Sequence, residues 1–409
     1  MQVFLVGGAV RDSLLGLECH DKDFVVVEAN PQMLLEQGFS QVGQDFPVFL
    51  HPDSHHEYAL ARLERKIGTG HTAFSTVFDD TVSLQDDLLR RDLTINALAI
   101  QVVGLFDDTP VTGQVIDYYG GLSDLQNKVL RHVSPAFAED PLRILRTARF
   151  FAKFAKYGFV IADETKSLMI NMANRGELSH LSRERLWTES SKAMSHNGGR
   201  AYWQVLFELG ILAYFLPPLD KLWQTPDNYR CTMHALEILA QHPFYQALPK
   251  DKQDALAFAL LLSSSESLEG ISDTALRLCT PKMALELANL VFIFKNDFAQ
   301  NPTADTVINL IERTKAQQQL KGDSHDPHAL IYQLLTALDV YHQAWGIKTM
   351  INFNQQQSLI EQAVMIYQTT TIKDVDPSLK GAQIGQALTK VRIQRIKQVL
   401  IRIFSNKSV

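Results

Sequence analysis

The sequence has little cysteine and no pairing among what it has. Cys19, Cys231 and Cys279 are its only three in 409 residues. Their wide separation excludes a zinc-ligand pattern or a disulfide framework and leads to the expectation of a reducing, cytoplasmic setting. Long apolar runs are also missing: none approaches the roughly 20 residues that cross a bilayer, so a membrane-spanning protein is excluded. No basic segment precedes the short apolar stretch Val3–Val6, which excludes a secretory signal at that position. Basic charge is not in excess, with 39 Lys and Arg against 45 Asp and Glu and a net charge of −6. A nucleic-acid partner would therefore have to be met by local patches. There is no tandem repeat or low-complexity tract. What remains is ordinary globular composition, 46% hydrophobic and 21% charged, at a length that implies about two to four domains.

The first third reads as mixed α/β. Short β-rich runs at Val3–Val6, Phe24–Val27, Val48–His51 and Tyr58–Ala61 are punctuated by glycine and proline. Beyond about residue 135, leucine, isoleucine, phenylalanine and alanine recur at helical spacing. The run Leu256–Leu262 is suited to a buried helix, and Pro217-Pro218 and Pro226-Asp227-Asn228 mark a boundary near residue 220. From Leu379 onward Lys380, Lys390, Arg392, Arg395, Lys397, Arg402 and Lys407 appear without a single acid. That run reads either as a solvated helix face or as a contact with a phosphate backbone.

Chemistry concentrates near the start. Phe4-Leu5-Val6 runs into Gly7-Gly8 and then into the helix-like Val10–Gly16. Two glycines let the backbone approach a bulky anion, the following helix start offers N–H groups, and Arg11 adds charge-assisted donors. The spacing is neither that of a dinucleotide fingerprint nor that of a P-loop. Asp21 and Asp23 open the next β-rich run, and on a strand such positions face the same way. Two adjacent carboxylates repel unless a cation lies between them. Exposed aspartates are one reading; a Mg²⁺ site completed by substrate phosphates is the other, and the upstream glycine turn favours it.

The run GGAVRDSLLGLECHDKDFVVV resembles the signature of the class II tRNA nucleotidyltransferases, the CCA-adding enzymes of bacterial type, and of the related bacterial poly(A) polymerases. Four more segments match in order: Arg90–Ala99, Asp117–Leu125, Glu139–Arg146 and Leu181–Trp187. The resemblance covers roughly residues 3–190. It implies an α/β nucleotidyltransferase head of the polymerase-β-like superfamily followed by an all-α neck, body and tail. On this division the head is 1–137, the neck with base selection 138–195, the body 196–330 and the tRNA-contacting tail 331–409.

The same resemblance implies Asp21 and Asp23 as catalytic Mg²⁺ ligands, with Glu57 a possible third carboxylate. Gly8, Arg11 and Arg91 would take the triphosphate. Asp140 and Arg143, neighbours if both are helical, would read the base, with Arg146 holding the nucleotide and Arg149 on the opposite side. Arg90 reads as a surface residue, Asp92 as a helix N-cap, and Asn96 as a contact to sugar or phosphate. Lys66–Phe74 resembles the family's flexible loop or is an ordinary mobile one.

Many relatives carry an HD phosphohydrolase site in the helical half. Here Cys231 stands where its first histidine would be and Ser263-Ser264 where its His-Asp pair would be, so that activity is expected to be absent. The implied function is template-independent addition of CCA to tRNA from CTP and ATP with release of pyrophosphate. The partners would be tRNA and the two nucleotides, with no protein partner implied. A poly(A) polymerase, a partial CC- or A-adding enzyme and a non-catalytic tRNA-binding protein are the alternatives.

Overall fold

Gln2–Val6 (β1) is apolar after its first residue because both of its faces are covered. Val3 and Leu5 pack into one core with Phe24, Val26, Tyr58, Leu60, Leu98 and Ile100; Phe4 and Val6 pack into another with Val25, Val27, Ala97 and Ala99. The two-residue period of a strand sends neighbours to opposite faces. A one-residue slip in pairing would exchange the two cores, so burial fixes the register.

The computed structural model describes residues 1–19, 21–42, 48–66, 74–77, 81–103, 113–300, 302–320 and 326–405. These form two units, Met1–Ala193 with Ala201–Phe215, and Met194–Arg200 with Leu216–Val409. Ala201–Phe215, which the expected division places in the body, cluster with the first unit.

In the first unit β1 is followed by Gly8–Leu14 (α1), Asp23–Val27 (β2), Pro31–Glu36 (α2), Ser40–Val42 (β3), Val48–Leu50 (β4) and Glu57–Leu60 (β5). Leu63–Lys66 (β6) and Phe74–Val77 (β7) form a separate antiparallel pair, and Leu84–Leu89 (α3), Leu98–Val102 (β8), Val115–Asp117 (β9) and Gly121–Asn127 (α4) complete the α/β part. The main sheet has seven strands in the order β3-β4-β5-β2-β1-β8-β9. Its pairs are antiparallel except β2 with β5, which run parallel and set Asp23 opposite Glu57. Ala9 and Val10 of α1 and Leu34 of α2 cover one face, while Leu84 and Leu88 of α3 cover the other.

Helices then take over: Leu142–Phe154 (α5), Asp163–Asn174 (α6) and Arg183–Met194 (α7). In α5 the buried Leu142, Ile144, Leu145 and Ala148 face inward. Another face carries Arg143, Arg146, Phe150 and Lys153 at three- and four-residue spacing, which places them in one row.

The second unit is helical. Its core helices Pro226–Gln241, Lys250–Leu261, Lys282–Phe294 and Leu330–Ala344 pack on one another. The run Ala255–Leu262 is buried on all sides, which explains why it shows no polar face. The boundary expected near residue 220 falls between Phe215 and Leu216, and the prolines there begin helices: Pro217 opens Pro217–Trp223, and Pro226 opens Pro226–Gln241. Proline lacks only an N–H that a first turn leaves unpaired anyway. No helix among the described residues is long and apolar enough to cross a membrane.

Candidate active site

A cleft of about 920 Å³ opens within the first unit, lined by Gly7, Gly8, Arg11, Asp21, Asp23, Arg91, Asp140, Arg143 and Arg146 among others. Ten basic and seven acidic side chains line it. In a chain of net charge −6, this is a local basic field that suits a polyanionic ligand.

The glycine turn forms its floor. Gly7 has φ 72° and ψ −125°, a conformation open essentially to glycine alone. A Cβ there would lie 2.8 Å from Nη1 of Arg91, and one on Gly8 would lie 3.5 Å from Nη2 of Arg11. Gly7 therefore leaves room for Arg91 beside the turn, while a Cβ on Gly8 would meet Arg11 at ordinary contact distance.

The two arginines are held differently. Arg11 is buried, donates through Nε and Nη2 to Asp12 at 2.8 Å and through Nη1 to Asn96, and lies 4.9 Å over the ring of Phe154. Burial lowers its pKa and Asp12 opposes that shift. Asp12 also receives Lys153 at 2.9 Å. Arg91 makes long bonds, 3.3 Å to Asp87 and 3.4 Å to the Asn96 carbonyl, and its buried Nε has no hydrogen-bond partner among the described residues. It has capacity left for an incoming anion.

Asp23 begins β2, and Asp21 lies just before the strand rather than on it. Loss of solvation raises the pKa of Asp23, Arg91 pulls it down, and the charge of Asp21 pushes it up again. The two carboxylates thus repel as a strand pair would, and a divalent cation between them would relieve that repulsion. Hard carboxylate oxygens beside a phosphate-sized turn fit Mg²⁺, which takes few protein ligands and fills its remaining positions from water and substrate. Glu57 sits opposite Asp23 in the sheet, but the described residues contain no group of three or more His, Cys, Asp or Glu arranged to hold a metal.

Asp92 is the buried hub behind this floor. Its Oδ1 accepts from Asn96 Nδ2 and from the Leu93 N–H, both at 2.9 Å. Its Oδ2 receives Arg146 through Nε at 2.8 Å and Nη2 at 2.7 Å. Desolvation alone would raise its pKa; Arg146 and Asn96 outweigh it and hold the carboxyl well below the usual carboxylate range. Asn96 in turn meets Arg11, so one acid connects the cations of α1 and α5. The ring of Phe150 lies between guanidinium groups, 4.3 Å from Arg149, 5.2 Å from Arg11 and 5.8 Å from Arg146.

On the opposite wall, Arg143 donates from Nη1 to the Ala136 carbonyl and from Nη2 to the Arg90 carbonyl, each at 2.6 Å. Asp140 accepts from the Leu142 N–H through Oδ1 and from Arg185 of α7 through Oδ2, both at 3.0 Å.

The family described as "Poly A polymerase head domain" matches residues 3–131, and one described as "Probable RNA and SrmB- binding site of polymerase A" matches residues 158–222. A "Multifunctional CCA protein" of Acinetobacter baumannii (strain SDF) is 38% identical, with 97% of each chain covered. The chain belongs to the CCA protein family. Two solved structures share the fold. A CCA-adding enzyme with ATP superposes with TM-score 0.66 at 20% identity, covering 98% of this chain and 88% of that one. The Thermotoga maritima CCA-adding enzyme complexed with tRNA gives 0.58 at 18%, covering 100% and 92%.

The structure of this CCA-family chain departs from the sequence reading at several residues. Asp140 is not on a helix beside Arg143. It has extended backbone (φ −118°, ψ 109°) ahead of α5, because Pro141 follows it and disfavours helical geometry at the preceding residue. It forms an ion pair with Arg185. Arg149 does not point away: it lines the cleft and pairs with the buried Glu189 at 2.6 Å. Arg90 is not a surface residue but grips the buried Asp87 at 2.9 Å. Asp92 is an ion-pair hub and no N-cap, and Asn96 is buried between Asp92 and Arg11. Apart from its two end residues, the loop expected at Lys66–Phe74 lies outside the described residues.

Sequence reasoning passed over Phe150, Lys153 and Arg185 as parts of the cleft, and Glu189 as the buried partner of Arg149. The row at 143, 146, 150 and 153 was the available signal for the first two; Glu189 and Arg185 depend on where α7 packs, which no local pattern reveals.

Gly7→Ala tests the floor. It forces a glycine-only conformation, at about 1–2 kcal/mol, and drives a methyl group against Arg91. The expected result is a Km for nucleoside triphosphate raised roughly tenfold, since a displaced ionic contact is worth about 1.5–3 kcal/mol. Steady-state kinetics beside a melting curve would check it, and an unchanged Km would remove Arg91 from the triphosphate site.

Proposed function

We propose that the protein adds C, C and A to the 3′ end of tRNA from CTP and ATP without a nucleic-acid template, releasing pyrophosphate in the cytoplasm. The observation that carries this is the 38% identity to a CCA protein along 97% of the chain, coinciding with a cleft that gathers two carboxylates, a glycine turn and an arginine row.

Asp21 and Asp23 would hold Mg²⁺, which when bound supplies charge neutralisation at the phosphates and a more acidic attacking hydroxyl. The chain's own residues supply position and countercharge. Arg91, held by long bonds to Asp87 and the Asn96 carbonyl, receives the triphosphate beside Gly8, while Arg11 stands behind the turn, fixed by Asp12 and Asn96. Arg146, anchored on Asp92, holds the nucleotide. Asp140 and Arg143 read the base edge: the acid accepts from the exocyclic amino group of cytosine or adenine. Arg143, oriented by the Ala136 and Arg90 carbonyls, brings a donor fork to the same edge. Uracil and guanine present a carbonyl where an acceptor-only group requires a donor.

In the second unit, the two serines at the expected HD positions differ: the Ser264 hydroxyl is buried with no hydrogen-bond partner among the described residues. Ser263 Oγ donates to the Leu260 carbonyl at 2.6 Å, and Lys295 donates to the carbonyls of Ser263 and Ser265 at 2.7 and 2.9 Å. Burial lowers the Lys295 pKa to about 8. The reading that the body lacks phosphohydrolase activity rests on the residue types at those positions, since serine hydroxyls do not replace a histidine and a carboxylate on a divalent metal. In the final helix, Ala382–Ser405, Arg395 pairs with Thr370 and Asp374, and Arg392 stacks on Tyr367 at 3.7 Å. Lys390 and Lys397 remain as candidates for tRNA phosphate.

Incubating tRNA lacking CCA with all four nucleotides and Mg²⁺, then sequencing the products, tests the function. Ends completed as CCA are expected. The match to a poly(A) polymerase head favours one second reading, and a long A tract made from ATP alone would establish it instead.

A further inference from the structure

Arg185 lies in the fifth matching segment, to which the proposed chemistry gives no task. We propose that Arg185 is a specificity-determining positioning residue, fixing the carboxylate of Asp140 so that it accepts from a base amino group and rejects a base carbonyl. This rests on the reading of Asp140 as a base reader.

Three observations carry it. Asp140 is not rigidified by a helix of its own; its backbone is extended between a 3₁₀ turn ending at Glu139 and α5. Its carboxylate is held by two donors from different elements, the Leu142 N–H on Oδ1 and Arg185 Nη2 on Oδ2, each at 3.0 Å. The remaining terminal nitrogen of Arg185, Nη1, is buried with no hydrogen-bond partner among the described residues. A guanidinium serving only to tie α7 to the start of α5 would have that nitrogen paired by protein, since leaving a buried donor unpaired is unfavourable. Both residues line the cleft.

A carboxylate offers acceptors only, so its power to discriminate depends on direct contact with the base. Held on both oxygens, it keeps its free lone pairs at one place. Released from Arg185, it can swing and admit a bridging water. Water donates as readily as it accepts, so the carbonyl of uracil or guanine becomes tolerable at the same site. Loss of Arg185 should therefore lower selectivity between bases, beyond any general loss of rate.

The test compares kcat/Km for CTP and UTP on tRNA lacking CCA, using the full chain as wild type, Arg185→Gln, Arg185→Lys, Asp140→Ala and the double variant. Arg185→Gln is expected to lower the CTP-to-UTP ratio by about tenfold, the size of effect that weakening one hydrogen bond produces. Arg185→Lys should recover part of it, because an ammonium can still hold Oδ2. In the Asp140→Ala background, Arg185→Gln should change the ratio no further. Parallel losses for CTP and UTP at a constant ratio would overturn the proposal and leave Arg185 a structural strut. If Asp140→Ala itself keeps the ratio, the base-reading assignment fails; if Asp140→Ala destroys the ratio while Arg185→Gln keeps it, only the role of Arg185 fails. Should Arg185→Gln not fold by circular dichroism, the ratio of Arg185→Lys decides, and an unchanged value counts against the proposal.

Discussion

Asp21→Ala and Asp23→Ala are each expected to reduce nucleotide addition by at least ~10³-fold while tRNA affinity stays within about twofold. The reduction matches what the loss of one element of preorganised charge stabilisation produces, enlarged here because the same carboxylates would seat the ion. Neither change should unfold the chain. Both aspartates line the cleft and belong to neither hydrophobic core of the head, and removing Asp21 relieves repulsion on Asp23. Single-turnover extension of a truncated tRNA, with filter binding alongside, checks both halves; retained turnover would remove the metal assignment.

A pH dependence accompanies this. The Asp23 pKa is raised by lost solvation and by Asp21, against the pull of Arg91 and His56. As the pH falls, Asp23 takes up its proton before an ordinary aspartate would. The acid limb of kcat/Km should therefore lie above the ~3.9 of a free aspartate and move down as Mg²⁺ is raised, because the cation competes with the proton. A limb insensitive to Mg²⁺ would separate the titrating group from the ion site.

Much of the head was legible because its signals are local. The runs at Val3–Val6 and Phe24–Val27 fall inside β1 and β2, where burial on both faces demands unbroken β-branched and aromatic residues. The glycine turn was legible for a similar reason, since a positive φ beside an arginine leaves few alternatives to glycine. Strand order was not legible: nothing in Glu57–Leu60 announces that it pairs parallel with β2.

The errors at the site have one physical origin. Helical spacing was extended two residues too far back, through Pro141, which turned Asp140 and Arg143 into neighbours. Sequence distance also hid the partners 40 to 54 residues apart that neutralise the cleft, Arg149 with Glu189, Arg185 with Asp140 and Arg146 with Asp92. A short-range reading assigns such side chains to solvent, because an unpaired charge belongs there. Only the packing of α5 against the head and of α7 against α5 makes burial affordable.

Asp92→Ala is expected to have the largest effect on stability. Asp92 is buried and accepts four hydrogen bonds, from Arg146 twice, Asn96 and the Leu93 N–H. Removing one partner of a wholly buried ion pair costs about 3–5 kcal/mol, because the other charge is left behind without compensation. Here the Arg146 side chain keeps 37% of its exposure and can rehydrate, so about 2–3 kcal/mol is the better figure. For a unit of some two hundred residues that corresponds to a melting point lower by roughly 5–10 °C. The sign with pH follows from the depressed pKa. The stabilisation is fully present above the unfolded value near ~3.9 and is lost as the pH falls from there toward the folded one. The gap between wild type and Asp92→Ala should therefore be constant around neutrality and close in acid. Activity should fall as well at temperatures where the variant is folded, since Arg146 loses its anchor and Asn96 its hold on Arg11. Calorimetric melts between pH 3 and 8 would measure the gap. A variant melting with wild type at pH 7, or a gap that widens in acid, would show that Asp92 is not the hub of this cleft.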